Sequence, residues 1–286
     1  MVDWVQRLLG RARVRTEPVR PLRIMAVISV YEDELYLEQC FRNMAEQGVE
    51  AIVIDNDSNP QTRSIVESYR NSVVREVVHH PRPGFFDWSG LLQRKQDICN
   101  QYDADWFLLW DSDEIREPPS FHTSLRAAVE DIDRRGFNTI NFDEFVFMPT
   151  NPDDEYRGLD YVAELDTYYY FKPRPQQRMN AWRKPDRPVD LVAGAGHKVS
   201  FRGQRVAPDP FVMRHYLFLS LAHGLEKYGN RQYAPVDLAK GWSKERARTS
   251  NAEFRLPPFE IMKRKLPGEP WDRSSPLTRH PCFVYD

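Results

Sequence analysis

Residues 106–114 read Trp-Phe-Leu-Leu-Trp-Asp-Ser-Asp-Glu, five large apolar side chains followed by three acids in four positions. Five apolar residues in succession have no polar face, so they read as a strand buried on both sides. Like charges packed at its exit repel unless a cation lies among them. Asp111 and Asp113 stand two apart, so extended backbone sets both on one side. Hard carboxylate oxygens suit Mn²⁺ or Mg²⁺, ions usually shared with substrate phosphates. A capped, solvated turn is the other reading of the same acids.

Working outward, Arg23–Val30, Ala51–Ile54, Val73–Val78 and Asn138–Phe147 read as further strands. Between them fall helical patterns. Glu32–Gln47 turns Leu35, Cys40, Phe41 and Met44 inward and ends at Gly48; Gln61–Tyr69 follows. Ser89–Tyr102 starts on Ser89 as N-cap, and Ser120–Arg135 closes at Gly136. This alternation predicts an α/β fold with a mostly parallel sheet and helices on both faces. Ligands of such sheets bind outside the carboxyl ends of the strands. A second strand also ends in acids there, Ile54-Asp55-Asn56-Asp57-Ser58. Asp55 can accept hydrogen bonds from a base edge or a ribose, or cap the helix that starts near Pro60.

Composition narrows the class. The chain has 286 residues, 41% hydrophobic and 29% charged, with a net charge of −2. It can bury a full core, so disorder is excluded, and no apolar run is long enough to span a bilayer. The charge balance argues against a dedicated nucleic-acid binder. Cys40, Cys99 and Cys282 show no metal spacing and predict reduced thiols in a cytoplasmic protein. The organisation predicted is a basic N-terminal arm (1–21), an α/β half (22–150), and a Pro-rich irregular half of the same domain (151–286). The arm sets Arg7, Arg11, Arg13 and Arg15 beside Trp4, Val5, Leu8 and Leu9. It reads either as a solvated segment or as a short amphipathic helix touching the inner face of a membrane.

The second half carries a charge reversal. Residues 153–166 hold six acids and one base, and residues 172–205 hold nine bases and two acids. Either the two blocks are solvated faces that pair, or the basic block forms a wall for phosphate under an acidic flap. Five aromatics between Tyr161 and Phe171, together with Trp182, Arg183 and Lys184, are the expected acceptor side, since aromatic faces stack on sugar rings. Arg94 and Lys95, on the helix before the acidic strand, either reach phosphate or line an exposed face. His215 follows an apolar stretch and is a candidate third metal ligand or a core histidine. His197 lies in a Gly-rich turn that lets a ligand approach the backbone. No dinucleotide fingerprint, P-loop, nucleophile elbow or His-Glu-x-x-His occurs.

The segment Met25–Glu34, the turn Ile54–Ser58 and the turn Asp111-Ser112-Asp113-Glu114 together resemble family 2 glycosyltransferases of the GT-A fold. Gly194-Ala195-Gly196-His197, Arg214-His215-Tyr216 and Gly241-Trp242 look like those of a bacterial subgroup. The resemblance implies a nucleotide-sugar donor, a UDP-sugar first. Val30, Tyr31, Glu32, Asp55 and Asp57 would hold its base and ribose; Asp111 and Asp113 would hold the ribose and a metal-bound diphosphate. It implies an inverting transfer to a saccharide or a lipid-linked or phosphorylated acceptor, in bacterial surface glycan synthesis. The base that takes the acceptor proton is expected to be Asp190, with His197 second. A nucleotidyltransferase would use similar acids but want a glycine-rich first turn. A non-catalytic sugar-binding scaffold would fit the aromatics but not Asp111 and Asp113 together.

Overall fold

The computed structural model describes residues 20–229 and 231–285, so the basic arm read at residues 1–19 lies outside the described residues. Eleven strands form two sheets among the described residues. They are β1 (Ile24–Val30), β2 (Glu50–Asp55), β3 (Val74–His79), β4 (Trp106–Trp110), β5 (Glu114–Glu117), β6 (Thr139–Ile140), β7 (Phe142–Phe147), β8 (Thr167–Phe171), β9 (Ala181–Arg183), β10 (Phe211–Tyr216) and β11 (Lys263–Arg264). The first sheet runs β3-β2-β1-β4-β9-β6 and the second β11-β8-β7-β10-β5. Parallel pairing holds through β3, β2, β1 and β4, whereas β9 runs antiparallel to both β4 and β6. In the second sheet β7 and β10 are parallel and the remaining pairs antiparallel. The expected parallel sheet is thus the first sheet's main part, and the second sheet is mixed.

Period-two alternation builds two layers on the first sheet. Ile24, Ala26, Ile28 and Val30 face helices α1 (Leu37–Gln47), α2 (Pro60–Ser68) and α4 (Leu125–Arg134), while Met25 and Val27 face α3 (Trp88–Gln101). Gly48 closes α1 with φ +69°, as expected. Other boundaries move. The first helix begins at Leu37 rather than Glu32, because Tyr31–Glu34 folds as a turn with Glu32 at φ +51°. Asp87, not Ser89, caps α3 by accepting from Gly90 N at 3.0 Å. Asn138–Phe147 splits between β6 in one sheet and β7 in the other.

Both sheets take strands from either side of residue 150, since β9 joins the first while β5 and β7 join the second. The two are linked by the turn Asp111–Asp113, which leaves β4 and enters β5. Later helices are α5 (Tyr161–Glu164), α6 (Leu221–Gly229), α7 (Pro235–Ala239) and α8 (Lys244–Arg248). Among the described residues no helix is long and apolar enough to cross a membrane.

Candidate active site

The acidic turn sits at the carboxyl end of β4, on the rim of a cavity of about 590 Å³. Its three acids are treated differently. Glu114 turns inward and is 2% exposed; its Oε2 accepts from Arg116 Nη2 at 2.6 Å. Arg116 is fully buried between the rings of Trp110 and Phe142 and also donates to the Leu109 carbonyl. That acid is therefore structural, answered by an arginine two residues on.

Asp111 and Asp113 remain at the cavity. Asp111 is the open one, its side chain 49% exposed within the concavity, with Lys95 Nζ at 3.3 Å from Oδ1. Burial is the largest effect and raises its pKa, but the charges of Lys95, Arg178 and His215 together outweigh it and hold the carboxyl below the ordinary range. Lys95 itself is fully buried on α3, beneath the Trp88 ring. Asp113 is held from two sides: Lys227 on α6 donates to Oδ2 at 2.8 Å, and His215 Nε2 lies 3.6 Å from the same oxygen. Against burial, these two charges hold Asp113 well below the usual carboxylate range. The Asp113 carbonyl accepts from Tyr216 N at 2.8 Å, pinning the turn to β10.

Behind this layer lies a buried relay. His215 Nδ1 is 2.7 Å from Glu144 Oε1, and Arg178 grips both Glu144 oxygens at 2.7 and 2.8 Å. Burial alone would depress the His215 pKa; Asp113 and Glu144 outweigh it and carry it up to about 10. Arg178 also contacts His197 Nδ1. There burial and the Arg178 charge act together and push the imidazole pKa down to about 3, so His197 is neutral.

Two carboxylates and an imidazole whose second nitrogen is held by a buried acid make a donor set that suits a hard divalent ion. The chemistry of these residues fits such an ion, with Lys227 sharing Asp113. Among the described residues, no group of three or more acids, histidines or cysteines is already gathered at metal-binding distances.

The structure sorts the other expected residues. Val30, Tyr31, Asp111, Asp113, His197 and His215 line the cavity, and Lys95 touches it through Asp111. Glu32 is exposed and off the cavity, and its neighbour Asp33 takes that place. Asp33 Oδ2 accepts from Tyr31 N at 2.9 Å, and burial raises its carboxyl to about 6. Asp55 and Asp57 shape the adjoining loops instead. Asp55 accepts from Ser58 N at 2.9 Å and pairs with Arg63, and Asp57 binds Arg82 N and His79 at 2.7 Å. Arg94 does not line the cavity.

Asp190, expected as base, is exposed and accepts from Ala193 N at 3.0 Å, fixing the turn that leads to His197. Trp182 is 1% exposed, packed against Phe107 within the core, so it offers no face to a sugar. The five aromatics from Tyr161 to Phe171 are likewise core of the second sheet. Arg183 pairs with Asp133 and Lys184 donates to the Tyr102 carbonyl, both at the far end of β4. Nor do the two charge blocks pair or stack as wall and flap. Asp166 binds Arg264, Glu155 binds Arg157, and the bases divide between the cavity (Arg174, Arg178, Lys198) and a separate groove.

What sequence reading missed is the cavity's cationic and aromatic lining: Arg82, Phe86, Trp88, Lys227 and Arg231. Arg82 Cζ stands 3.8 Å over the Tyr31 ring, and Phe86 stacks with Trp88 at 5.8 Å. The available signal was Arg82-Pro83-Gly84-Phe85-Phe86-Asp87-Trp88, aromatics in a turn-rich stretch without strand or helix period.

Residues 25–134 match the family model described as Glycosyl transferase family 2. No curated protein matches the sequence. Among solved structures, S. aureus TarS superposes with a TM-score of 0.44 at 13% identity, covering 75% of this chain and 41% of that one. S. aureus TarS 1-349 gives 0.43 at 14% identity, over 79% and 74%. A UDP-glucose pyrophosphorylase complexed with UDP-glucose gives 0.27 at 10%, over 63% and 73%. The chain thus spans about 41% of the length of the first of these.

Proposed function

We propose that this protein, whose residues 25–134 match family 2 glycosyl transferases, moves a sugar from a nucleotide-sugar donor to a glycan or a lipid-linked or phosphorylated acceptor. The observation that carries the reading is the cavity at the ends of β1 and β4, where Asp33, Asp111 and Asp113 face Arg82, Arg178, Lys227 and Arg231. Separated acids and cations of this kind hold a ribose and a diphosphate at once. Tyr31, Phe86 and Trp88 offer faces for the base. A UDP-sugar is our first choice of donor, and bacterial surface glycan synthesis our choice of role.

Asp111, Asp113 and His215 Nε2 are the residues that would hold Mn²⁺ or Mg²⁺, which when bound supplies positive charge to the diphosphate. Lys227, Arg231 and Arg178 hold the negative charge that develops on the leaving group, preorganised in a partly dry cleft. Glu144 and Arg178 keep the His215 ring oriented. Inversion needs a base on the acceptor side. His197 is too weakly basic, and Asp190 lies off the cavity. Glu245 lines the cavity, and its carboxylate has no side-chain partner among the described residues, so it is our choice. Contact of the segment 1–19 with the inner face of a membrane belongs to the same proposal.

Thermal unfolding with UDP, GDP, dTDP and CDP, each with and without Mn²⁺, tests the reading. A Mn²⁺-dependent rise with one diphosphate, lost in Asp113→Asn, is expected. No rise with any of them would sink it.

A further inference from the structure

A second groove, of about 530 Å³, opens at the opposite end of the first sheet, where its parallel strands begin. Arg183 in β9 pairs with Trp106, the first residue of β4, whereas Asp111 follows the last. The groove gathers Arg183, Lys184, Arg187, Arg202 and Arg205 against two acids, Asp133 and Asp186. Arg183 is used by Asp133 at 2.9 Å and Lys184 by the Tyr102 carbonyl at 2.6 Å. Arg187, Arg202 and Arg205 are exposed, and their guanidinium groups have no partner among the described residues. Three exposed guanidinium groups on one concavity leave it positive, which favours an anion there. Arginine meets phosphate oxygens bidentately.

The described chain begins at this same end. Arg20 clamps Asp105 with hydrogen bonds of 2.8 and 2.9 Å, and the Asp105 carbonyl accepts from Lys184 N at 2.8 Å. Residue 20 therefore leaves the fold beside the groove. The 19 residues before it include four arginines, Arg7, Arg11, Arg13 and Arg15, among Trp4, Val5, Leu8 and Leu9. Interleaved basic and apolar residues partition to anionic lipid.

We propose that this groove, by itself, is a docking surface for the phosphate headgroups of an anionic bilayer. The inference goes beyond the transferase reading and does not rest on it. With lipid bound at the start of the strands, the first cavity lies at the other end of β4.

Co-sedimentation of the full chain with vesicles tests it, using phosphatidylcholine alone or mixed with phosphatidylglycerol, for the parent and R187Q/R202Q/R205Q. The parent is expected in the pellet only with the anionic vesicles. Partitioning should fall roughly fivefold per arginine neutralised, on the order of a hundredfold for all three. All three side chains are exposed, so the melting temperature should hold. Equal partitioning of variant and parent overturns the proposal, as does a parent that ignores anionic vesicles. If soluble polyphosphate binds the parent, fails with the variant, and no vesicle binds either, the groove serves a soluble polyanion and the lipid assignment is wrong.

Discussion

Lys227 Nζ lies 2.8 Å from Asp113 Oδ2, an ion pair closed across 114 residues of chain. The lysine stands where a divalent ion sharing Asp113 would also bring positive charge, so the two compete for one carboxylate. Lys227→Met should cost about 3 kcal/mol, the lower end for breaking a buried pair, since both side chains keep some exposure. It should also enlarge the Mn²⁺-dependent gain in melting temperature. An unchanged gain would remove Asp113 from the ion's ligands.

Glu144 reaches the cavity only through His215 and Arg178. Glu144→Gln should weaken metal-dependent nucleotide binding about 10- to 100-fold, the usual effect of losing the acid behind a ligating histidine. Nucleotide binding without metal should hardly change. Titration calorimetry with and without Mn²⁺ separates the two, and equal losses in both would make Glu144 a purely structural acid.

Trp182 tests the corrected acceptor side. Its ring is 1% exposed between strands of the first sheet. Trp182→Ala should lower stability by about 3–5 kcal/mol, read from denaturant midpoints. The acceptor KM of the fraction that remains folded should not move. A selective rise in that KM would return the residue to the binding surface.

Histidine 197 supplies a pH signature. Its pKa falls from about 6.5 when unfolded to about 3 when folded, because burial and Arg178 disfavour the cation. Between these values the unfolded chain binds the extra proton, so stability falls as pH drops from about 6.5 toward 3. The part of that slope due to this ring should vanish in His197→Asn. Melting curves across the window, parent against variant, measure it; parallel profiles would contradict the neutral imidazole.

Strands β1 to β4 and helices α1 to α4 were legible because each keeps one period, whereas β5, four residues beginning inside the acidic turn, was not read. Ile24–Val30 alternates between two helix layers, and Trp106–Trp110 is apolar throughout because both faces are covered. The same strand exit placed Asp111 and Asp113 at the cavity rim, while Glu114 beside them turned into the core onto Arg116, a difference the spacing of the acids does not show. Trp182, Tyr168 and Tyr170 misled because an aromatic in an irregular, Pro-rich stretch looks the same whether it ends in a core or on a sugar. Lys227 and Glu144 could not be found from spacing, since their partners are 114 and 71 residues away. Only the parallel pairing of β7 with β10 brings Glu144 and His215 together.

The acidic turn is the covalent joint between two sheets, with β4 on one side and β5 on the other. Among the described residues β5 pairs only with β10, whose residues are made almost a hundred positions later. On the ribosome, then, the parallel part of the first sheet can collapse early around β1, β2 and β4, but Asp113 stays without its backbone clamp from Tyr216 until β10 emerges. Such long-range pairing is slow to form. A nascent chain carries Asp111 and Asp113 long before it carries the geometry around them, and the proposed transfer should appear in one late step of synthesis.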